Sequence, residues 1–449
     1  MKHEFDVVVI GTGSAGSAAA FACREGGLKV AIVDKREFGG TCALRGCDPK
    51  KVLVSAAEIV ERATRMKGHG IAGNTKIDWA DLMTFKKTFT DPVPAEREKG
   101  YTDQGIVTFH GSAQFVEANI VLVGDDMLQF RNAVIATGAK PSPLKVDGSQ
   151  HVITSEDFLN LKQLPNRIAF IGGGFISFEF SHIARRAGAQ VTILEYAPRA
   201  LVAFEPSLVD RLAAVGTEIG IDLRLNVDAI EITPNGSEFK IKFSEKGVPG
   251  ELTADLIVHG AGRIADIDEL ELSRGQIATN EHGIIVNEYL QNSGNPAIYA
   301  AGDCVRAGGL PLTPVAGLEG EIAGKNIAGG NSAVADFSGL ASVVYTMPSL
   351  ASVGLTEEQA KKDGITVKVH TGDSTSWYSA RHINASAACY KVLIDENGQI
   401  VGAHLLGPNA EELINLFALA IRMRTPASKL KEVLFAWPTA ASEIEYMLR

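Results

Sequence analysis

Two cysteines stand close together in Gly39-Gly40-Thr41-Cys42-Ala43-Leu44-Arg45-Gly46-Cys47-Asp48-Pro49-Lys50-Lys51. Thiols at this spacing can close a small disulfide loop and reopen it, which is two-electron redox chemistry. A zinc knuckle would usually space its ligands C-x2-C and add a second Cys/His pair. No such pair lies nearby in the chain, so no metal site is expected. A thiolate at a helix start is stabilised by the helix dipole and by neighbouring cations. Lys50 and Lys51 supply such cations. The other cysteines, Cys23, Cys304 and Cys389, are scattered and read as packing residues. Five cysteines in 449 residues are too few for a disulfide scaffold. The expected compartment is therefore reducing, which makes a close pair redox-catalytic rather than structural.

The elements that must position this pair begin just upstream. Phe5 to Ile10 is an apolar run that reads as a buried parallel strand. Gly11-Thr12-Gly13-Ser14-Ala15-Gly16 follows, then small residues from Ser17 to Ala22. Gly11, Gly13 and Gly16 permit a tight turn, close backbone approach to a pyrophosphate and close helix packing. The helix that follows aims its N-terminus at the anion. A second strand, Val30 to Val33, ends at Asp34, about 20 residues beyond the turn, where a carboxylate accepts from ribose hydroxyls. The pattern then repeats. Arg167 to Ile171 leads into Gly172-Gly173-Gly174-Phe175-Ile176-Ser177, and Gln190 to Leu194 ends at Glu195. Ser177 stands at the third motif position, where Gly or Ala is usual, and is small enough for helix–strand packing. Two dinucleotide sites are predicted.

Net charge is −10, from 43 basic and 53 acidic side chains. That balance argues against a nucleic-acid partner, which would require a basic face. No apolar run reaches the ~18 residues that span a bilayer. The start of the chain shows no cleavable signal pattern. A soluble, cytoplasmic protein without a membrane partner is expected. Residues 51–100 read as helical and 105–136 as strands. From about 337 the pattern changes to alternating strands and then helices near 408–424, a separate α+β domain.

These motifs together resemble the glutathione reductase / dihydrolipoamide dehydrogenase / mercuric reductase family of pyridine nucleotide-disulfide oxidoreductases. Further marks are Ala136-Thr137-Gly138-Ala139-Lys140-Pro141, Gly172 to Glu179, Gly302-Asp303, Leu312-Thr313-Pro314-Val315-Ala316 and Ala351 to Thr356. The resemblance covers nearly the whole chain. It implies an α/β fold with two Rossmann-like dinucleotide-binding domains, for FAD and NAD(P), plus a C-terminal α+β dimerisation domain. The implied boundaries are 1–145 and 266–336 for the FAD parts, 146–265 for NAD(P) and 337–449 for dimerisation.

It also implies roles. Gly11, Gly13, Gly16, Asp34, Gly40, Thr41, Thr137, Gly138, Gly262 and Gly302 would serve cofactor binding, with Ala113 near the adenine and Asp303 on the ribityl chain. The helix starting at Thr313 would aim at the flavin. Cys47 would be the flavin-side thiol and Cys42 the exchange thiol. Either Lys50 or Lys51 would pair with Glu179 near flavin N5, and Phe175 would lie over the flavin. Gly172, Gly174 and Glu195 would hold the nicotinamide nucleotide. Glu195 favours NADH over NADPH, because a carboxylate accepts from a 2′-OH and repels a 2′-phosphate; Arg199 would partly offset this. Electrons would pass from the nicotinamide through flavin to Cys47, and Cys42 would attack a small-molecule or small-protein oxidised acceptor. The implied assembly is a homodimer.

The pattern breaks near the C-terminus. Disulfide reductases of this family carry a His-Pro and a partner glutamate there, reaching the other subunit's exchange cysteine. Here Trp437 stands in the histidine position and Ser442 in the glutamate position. All ten histidines lie before residue 405. Indole cannot exchange a proton at neutral pH, and loss of general acid–base help typically costs ~10²–10⁴-fold. Glu443 and Glu445 are the nearby carboxylates. Mercuric reductases lack the histidine too but usually carry C-terminal cysteines, whereas none follows Cys389 here. A disulfide-like acceptor is expected, with a metal-ion or quinone reductase, or a non-catalytic FAD-binding subunit, as alternatives.

Overall fold

The computed structural model describes residues 1–305 and 308–449. The chain forms two compact units. The first comprises Met1–Lys50, Phe85–Ser142 and Gly262–Phe337; the second comprises Lys51–Thr84, Pro143–Ala261 and Ser338–Arg449.

In the first unit, Val7, Val8 and Val9 are fully buried, as a strand covered on both faces requires. Strand Lys2–Ile10 pairs in parallel with Val30–Asp34 on one side and Asp126–Ile135 on the other. Val107–His110 and Ile298–Ala300 extend the parallel part. Ile120–Val123 and Ala113–Glu117 add an antiparallel meander. Alternation along the central strand divides the core. Val8 and Ile10 pack with Phe115, Val121 and Leu128, whereas Val7 and Val9 pack with Ala19, Ala20, Cys23 and Ile322.

The small-residue run has a physical use. It lets helix Thr313–Gly329 lie directly on helix Ser14–Glu25. A Cβ on Gly320 would stand 2.0 Å from the Ala15 carbonyl oxygen, and one on Gly324 would stand 2.8 Å from that of Ala19. This packing fixes where Thr313 sits.

In the second unit, parallel strands run in the order Ile221–Leu225, Gln190–Glu195, Arg167–Ile171, Leu256–His259. A separate antiparallel meander covers Val227–Asn235, Glu238–Glu245 and Val248–Ala254. The C-terminal part is a five-stranded antiparallel sheet, ordered Ala341–Val344, Ser349–Gly354, Ile400–Gly407, Cys389–Asp395, Val367–Asp373. Helix Ala410–Arg422 lays Leu413, Ile414 and Phe417 against it. Within this unit Lys391 is nearly buried between Glu205 and Glu357, 2.7 Å from a carboxylate oxygen of each. No helix among the described residues is long and apolar enough to cross a membrane.

Candidate active site

The first glycine turn leaves strand Lys2–Ile10 at Gly11, whose φ is +111°. A Cβ there would stand 2.2 Å from the Ala136 carbonyl oxygen. Gly13 caps helix Ser14–Glu25 without any side-chain hydrogen bond, so its first-turn amides face outward uncapped. Asp34 Oδ2 accepts from Thr12 N at 2.8 Å and from Thr12 Oγ1 at 2.6 Å, and its Oδ1 accepts from Arg36 N at 3.0 Å. Gly40 returns to the turn so closely that a Cβ would lie 2.4 Å from Gly13 Cα. Thr137 Oγ1 is buried with no hydrogen-bond partner among the described residues. The bare turn, the uncapped amides and the terminal acid fit the ADP half of FAD.

At the same end of the parallel strands, where Ile298–Ala300 stops, Gly302 N donates to Glu319 Oε2 at 2.8 Å. Burial pushes the Glu319 carboxyl up to about 7 and raises Asp303 as well. Ala113 is buried in the core of the sheet, so its side chain faces away from solvent.

The thiol pair spans two helices. Cys42 lies in the short helix Gly40–Arg45, and Cys47 opens the long helix Cys47–Arg65. Cys47 Sγ is 3.3 Å from Thr313 Oγ1. The hydrogen bond from Cys42 lowers the Cys47 thiol to about 6, against the opposing effect of burial, with further help from the Thr313 hydroxyl and the charge of Lys50. Cys42 moves the other way, raised by the hydrogen bond to Cys47, by burial and by the charge on Cys47. Both shifts favour the thiolate on Cys47 and the proton on Cys42.

The two lysines separate. Lys50 is buried and acts on Cys47. Lys51 Nζ lies 3.2 Å from Glu58 Oε1 and 4.5 Å from the centre of the Tyr345 ring. Glu179 is buried on helix Phe175–Arg186, where its Oε1 accepts from Tyr345 N at 2.9 Å.

The second glycine turn repeats the first. Gly172 has φ +100°, and a Cβ there would meet Ala261 at 2.6 Å. Gly174 caps its helix, again without a side-chain bond. Glu195 accepts from Gly173 N and, at 2.6 Å, from Ala197 N. Ser177 is fully buried, and space for it comes from Gly260, where a Cβ would lie 1.9 Å from Ser177 Oγ. Phe175 is half exposed at the head of the helix. Arg199 reaches Glu358, with its NH1 3.2 Å from a carboxylate oxygen.

At the C-terminal end, Trp437 is 66% exposed. Ser442 is spent locally. Its amide donates to Thr439 Oγ1 and its hydroxyl donates to the Thr439 carbonyl at 2.6 Å, closing a one-turn cap. Glu443 is buried, accepting from Ser379 N at 2.9 Å and from the Ser379 hydroxyl. Glu445 is paired with Arg449 at 2.6 Å. Both carboxylates thus have partners within the chain. Sequence order hid one neighbour. Tyr378 stacks on His382 with centroids 5.2 Å apart and lies 6.4 Å from Trp437. No cluster of three or more His, Cys, Asp or Glu suited to a metal ion occurs among the described residues.

Comparison with known proteins agrees with this geometry. The family described as pyridine nucleotide-disulphide oxidoreductase matches residues 5–320, and its dimerisation domain matches residues 340–448. A glutathione reductase of Burkholderia cepacia is 32% identical, covering 98% of both chains. A dihydrolipoyl dehydrogenase of Bacillus subtilis is also 32% identical, over 97% of this chain and 94% of that one. A mercuric reductase of Staphylococcus aureus is 30% identical, over 98% of this chain and 81% of that one. Among solved structures, a Cu(II) complex of the HOCl-induced flavoprotein disulfide reductase RclA from Escherichia coli has a TM-score of 0.89 at 26% identity, covering 99% of both chains. The dimerisation domain supports a homodimer. The chain belongs to the pyridine nucleotide-disulphide oxidoreductase family and is an FAD-dependent, pyridine nucleotide-using disulfide oxidoreductase.

Proposed function

We propose that this enzyme uses NADH to reduce a soft or activated acceptor, with cupric ion foremost, in preference to alkyl disulfides such as oxidised glutathione or lipoamide. The observation that carries this reading is the C-terminal tip. Trp437 is exposed where a proton-exchanging group belongs, and Glu443 and Glu445 are engaged elsewhere. In the homodimer this tip approaches the partner subunit's Cys42. An alkyl thiolate leaving group needs a proton, whereas a thiol of low pKa or a metal ion does not. The structural relative solved as a Cu(II) complex makes copper the first acceptor to test.

Bound flavin supplies the two-electron chemistry between nicotinamide and thiols. The residues do the rest. Gly11, Gly13, Gly16 and Asp34 hold the ADP half, with Ala113 near its adenine and Gly40, Thr41, Thr137, Gly138, Gly262, Gly302 and Asp303 around the remainder. Lys50 sets charge beside Cys47, and Lys51 is held by Glu58. Gly172, Gly174 and Phe175 place the nicotinamide nucleotide. Glu195 selects NADH, and Arg199 is withdrawn from a 2′-phosphate by Glu358. With cupric ion, the Cys42 thiol and Cys47 thiolate lose two electrons and one proton to become a disulfide, and two Cu(II) become two Cu(I).

Steady-state NADH oxidation with Cu(II), an aromatic disulfide, a quinone, oxidised glutathione and lipoamide tests the reading. The first three should turn over faster than the last two. Turnover of glutathione disulfide or lipoamide at tens per second or more, the ordinary enzyme range, would overturn it.

A further inference from the structure

The residue after the flavin-side cysteine is a carboxylate, and it faces the other thiol. Asp48 lies in the first turn of helix Cys47–Arg65. Its Oδ1 accepts from the Cys42 thiol, with Sγ at 3.9 Å. An acid in a first helical turn is commonly there for the helix dipole alone, and that role would not require it to face the exchange thiol. Among the described residues, the groups that act on Cys42 are Cys47, Asp48 and Thr313. Cys47 and Asp48 come from one helix and Thr313 from another, while Lys50 acts on Cys47. Beside the Cys47 thiol, Asp48 thus puts a fixed carboxylate next to the sulfur that must meet the acceptor.

We propose that Asp48 helps hold the proton on Cys42 and selects the charge of the acceptor. This rests on the soft-acceptor reading above and deepens it. Two consequences follow from a carboxylate at this place. A second negative charge on Cys42 is disfavoured by the first, so Cys42 stays a thiol and the thiolate stays on Cys47. Cys42 is then a weak nucleophile toward an alkyl disulfide, since the thiolate is the attacking form. The same carboxylate attracts a cation and repels an anion. Cupric ion is favoured at Cys42, and oxidised glutathione, a polyanion, is doubly disfavoured. Asp48 and Trp437 thus push selectivity the same way, one by charge and the other by removing the proton exchanger. The raised Cys42 thiol agrees with this, the charge of Asp48 being the smallest of its causes.

The test uses holoenzyme dimer carrying Asp48→Asn, with Asp48→Glu as the conservative control. One arm needs no acceptor. The two-electron-reduced enzyme is alkylated with iodoacetamide across pH, and Cys42 modification is followed by peptide mass spectrometry. Asp48→Asn should shift the Cys42 profile to lower pH, giving about two- to three-fold faster alkylation at pH 7. Asp48→Glu should stay near wild type. The other arm compares kcat/KM for Cu(II) and for oxidised glutathione. Asp48→Asn should lower the first and raise the second, and both changes should shrink with added salt.

An unchanged alkylation profile in Asp48→Asn overturns the proposal. So does an equal change for both acceptors, which a merely structural role would give. If wild-type enzyme reduces oxidised glutathione rapidly, the acceptor reading falls by itself, and the alkylation arm still decides whether Asp48 helps hold the Cys42 proton.

Discussion

The backbone at Gly11 has φ +111° and at Gly172 +100°. Each turn amide donates to the end of the neighbouring strand, Gly11 N to Val33 O at 2.7 Å and Gly172 N to Leu194 O at 2.8 Å. Each turn then enters a twelve-residue helix, Ser14–Glu25 or Phe175–Arg186, so the two motifs have matching frames. They differ at the third position. Gly16 is bare because a Cβ would stand 1.9 Å from the Gly11 carbonyl oxygen. Ser177 fills the corresponding place, and the missing Cβ has moved to Gly260 on the facing segment. What is fixed is the closeness of helix and backbone, and the residue that makes the room can change. The first motif also receives Gly40 against Gly13, which leads directly into the thiol pair. Its surroundings are the more constrained of the two.

The largest expected effect breaks the motifs one at a time. Gly11→Ala forces a Cβ into a main-chain oxygen at a φ that favours glycine. Purified protein should carry no stoichiometric flavin and oxidise no NADH. Gly172→Ala should keep its flavin spectrum while its KM for NADH rises at least ten-fold. Flavin content by absorbance and NADH titration separate the two. Loss of flavin in both variants would show that the motifs are not functionally distinct.

Next comes the chemistry that only the first motif carries. Reduced enzyme should show a long-wavelength flavin–thiolate absorbance, and Cys47→Ser should abolish it. The sign with pH follows from the lowered Cys47 thiol, about 6. The band should be full near neutral pH and fade as pH falls through about 6, because protonation removes the donor. A wild-type band that persists unchanged well below that pH would show that the donor is not Cys47.

A smaller effect concerns the acids that end the second strands. Asp34 is occupied by Thr12 and Arg36, and Glu195 by Gly173 and Ala197. Glu195→Gln keeps an acceptor for a hydroxyl and removes the charge that repels a 2′-phosphate. It should move the NADH/NADPH ratio of kcat/KM toward NADPH by roughly ten-fold. Glu358→Gln should release Arg199 and add only a few-fold, since an exposed ion pair is worth ~0.2–1 kcal/mol. A wild type that already prefers NADPH would end this argument.

Much of the fold was legible because it rests on periodicity and on glycines that sterics demand. The valine run of strand Lys2–Ile10, both turns and their terminal acids are local features, and each can be read within about thirty residues. The site was legible to the level of residue type. Cys42 and Cys47 read as a redox pair from their spacing together with the dinucleotide motif that precedes them. What escaped were side-chain contacts between distant segments: Thr313 on Cys47, Gly260 under Ser177, Ser379 on Glu443, and Tyr378 beside Trp437. A sequence shows order and kind, while these contacts depend on the register with which elements pack. Asp48 was in plain view but reads as an ordinary first-turn acid until its direction is known.

The smallest effect sharpens the comparison most, because it tests whether a missing Cβ can be exchanged between two positions. Gly260→Ala places a methyl 1.9 Å from Ser177 Oγ, and overpacking of this kind costs about 1–3 kcal/mol. Ser177→Gly alone should be close to neutral. It loses helix propensity, of the order of 0.5 kcal/mol, but removes a buried hydroxyl that has no hydrogen-bond partner among the described residues. The double variant should recover most of what Gly260→Ala loses, leaving a coupling of at least ~1 kcal/mol between touching residues. Since a multidomain flavoprotein need not unfold in one step, the coupling is best read from NADH affinity, with the thermal midpoint of the holoenzyme as a second measure. The control lies in the other motif. Gly16→Ser should be as damaging as Gly11→Ala, because its Cβ meets the Gly11 carbonyl and no substitution elsewhere removes a main-chain oxygen. Full flavin content in Gly16→Ser, or no rescue in the double variant, would mean that the two motifs tolerate their third position for some reason other than where the missing Cβ sits.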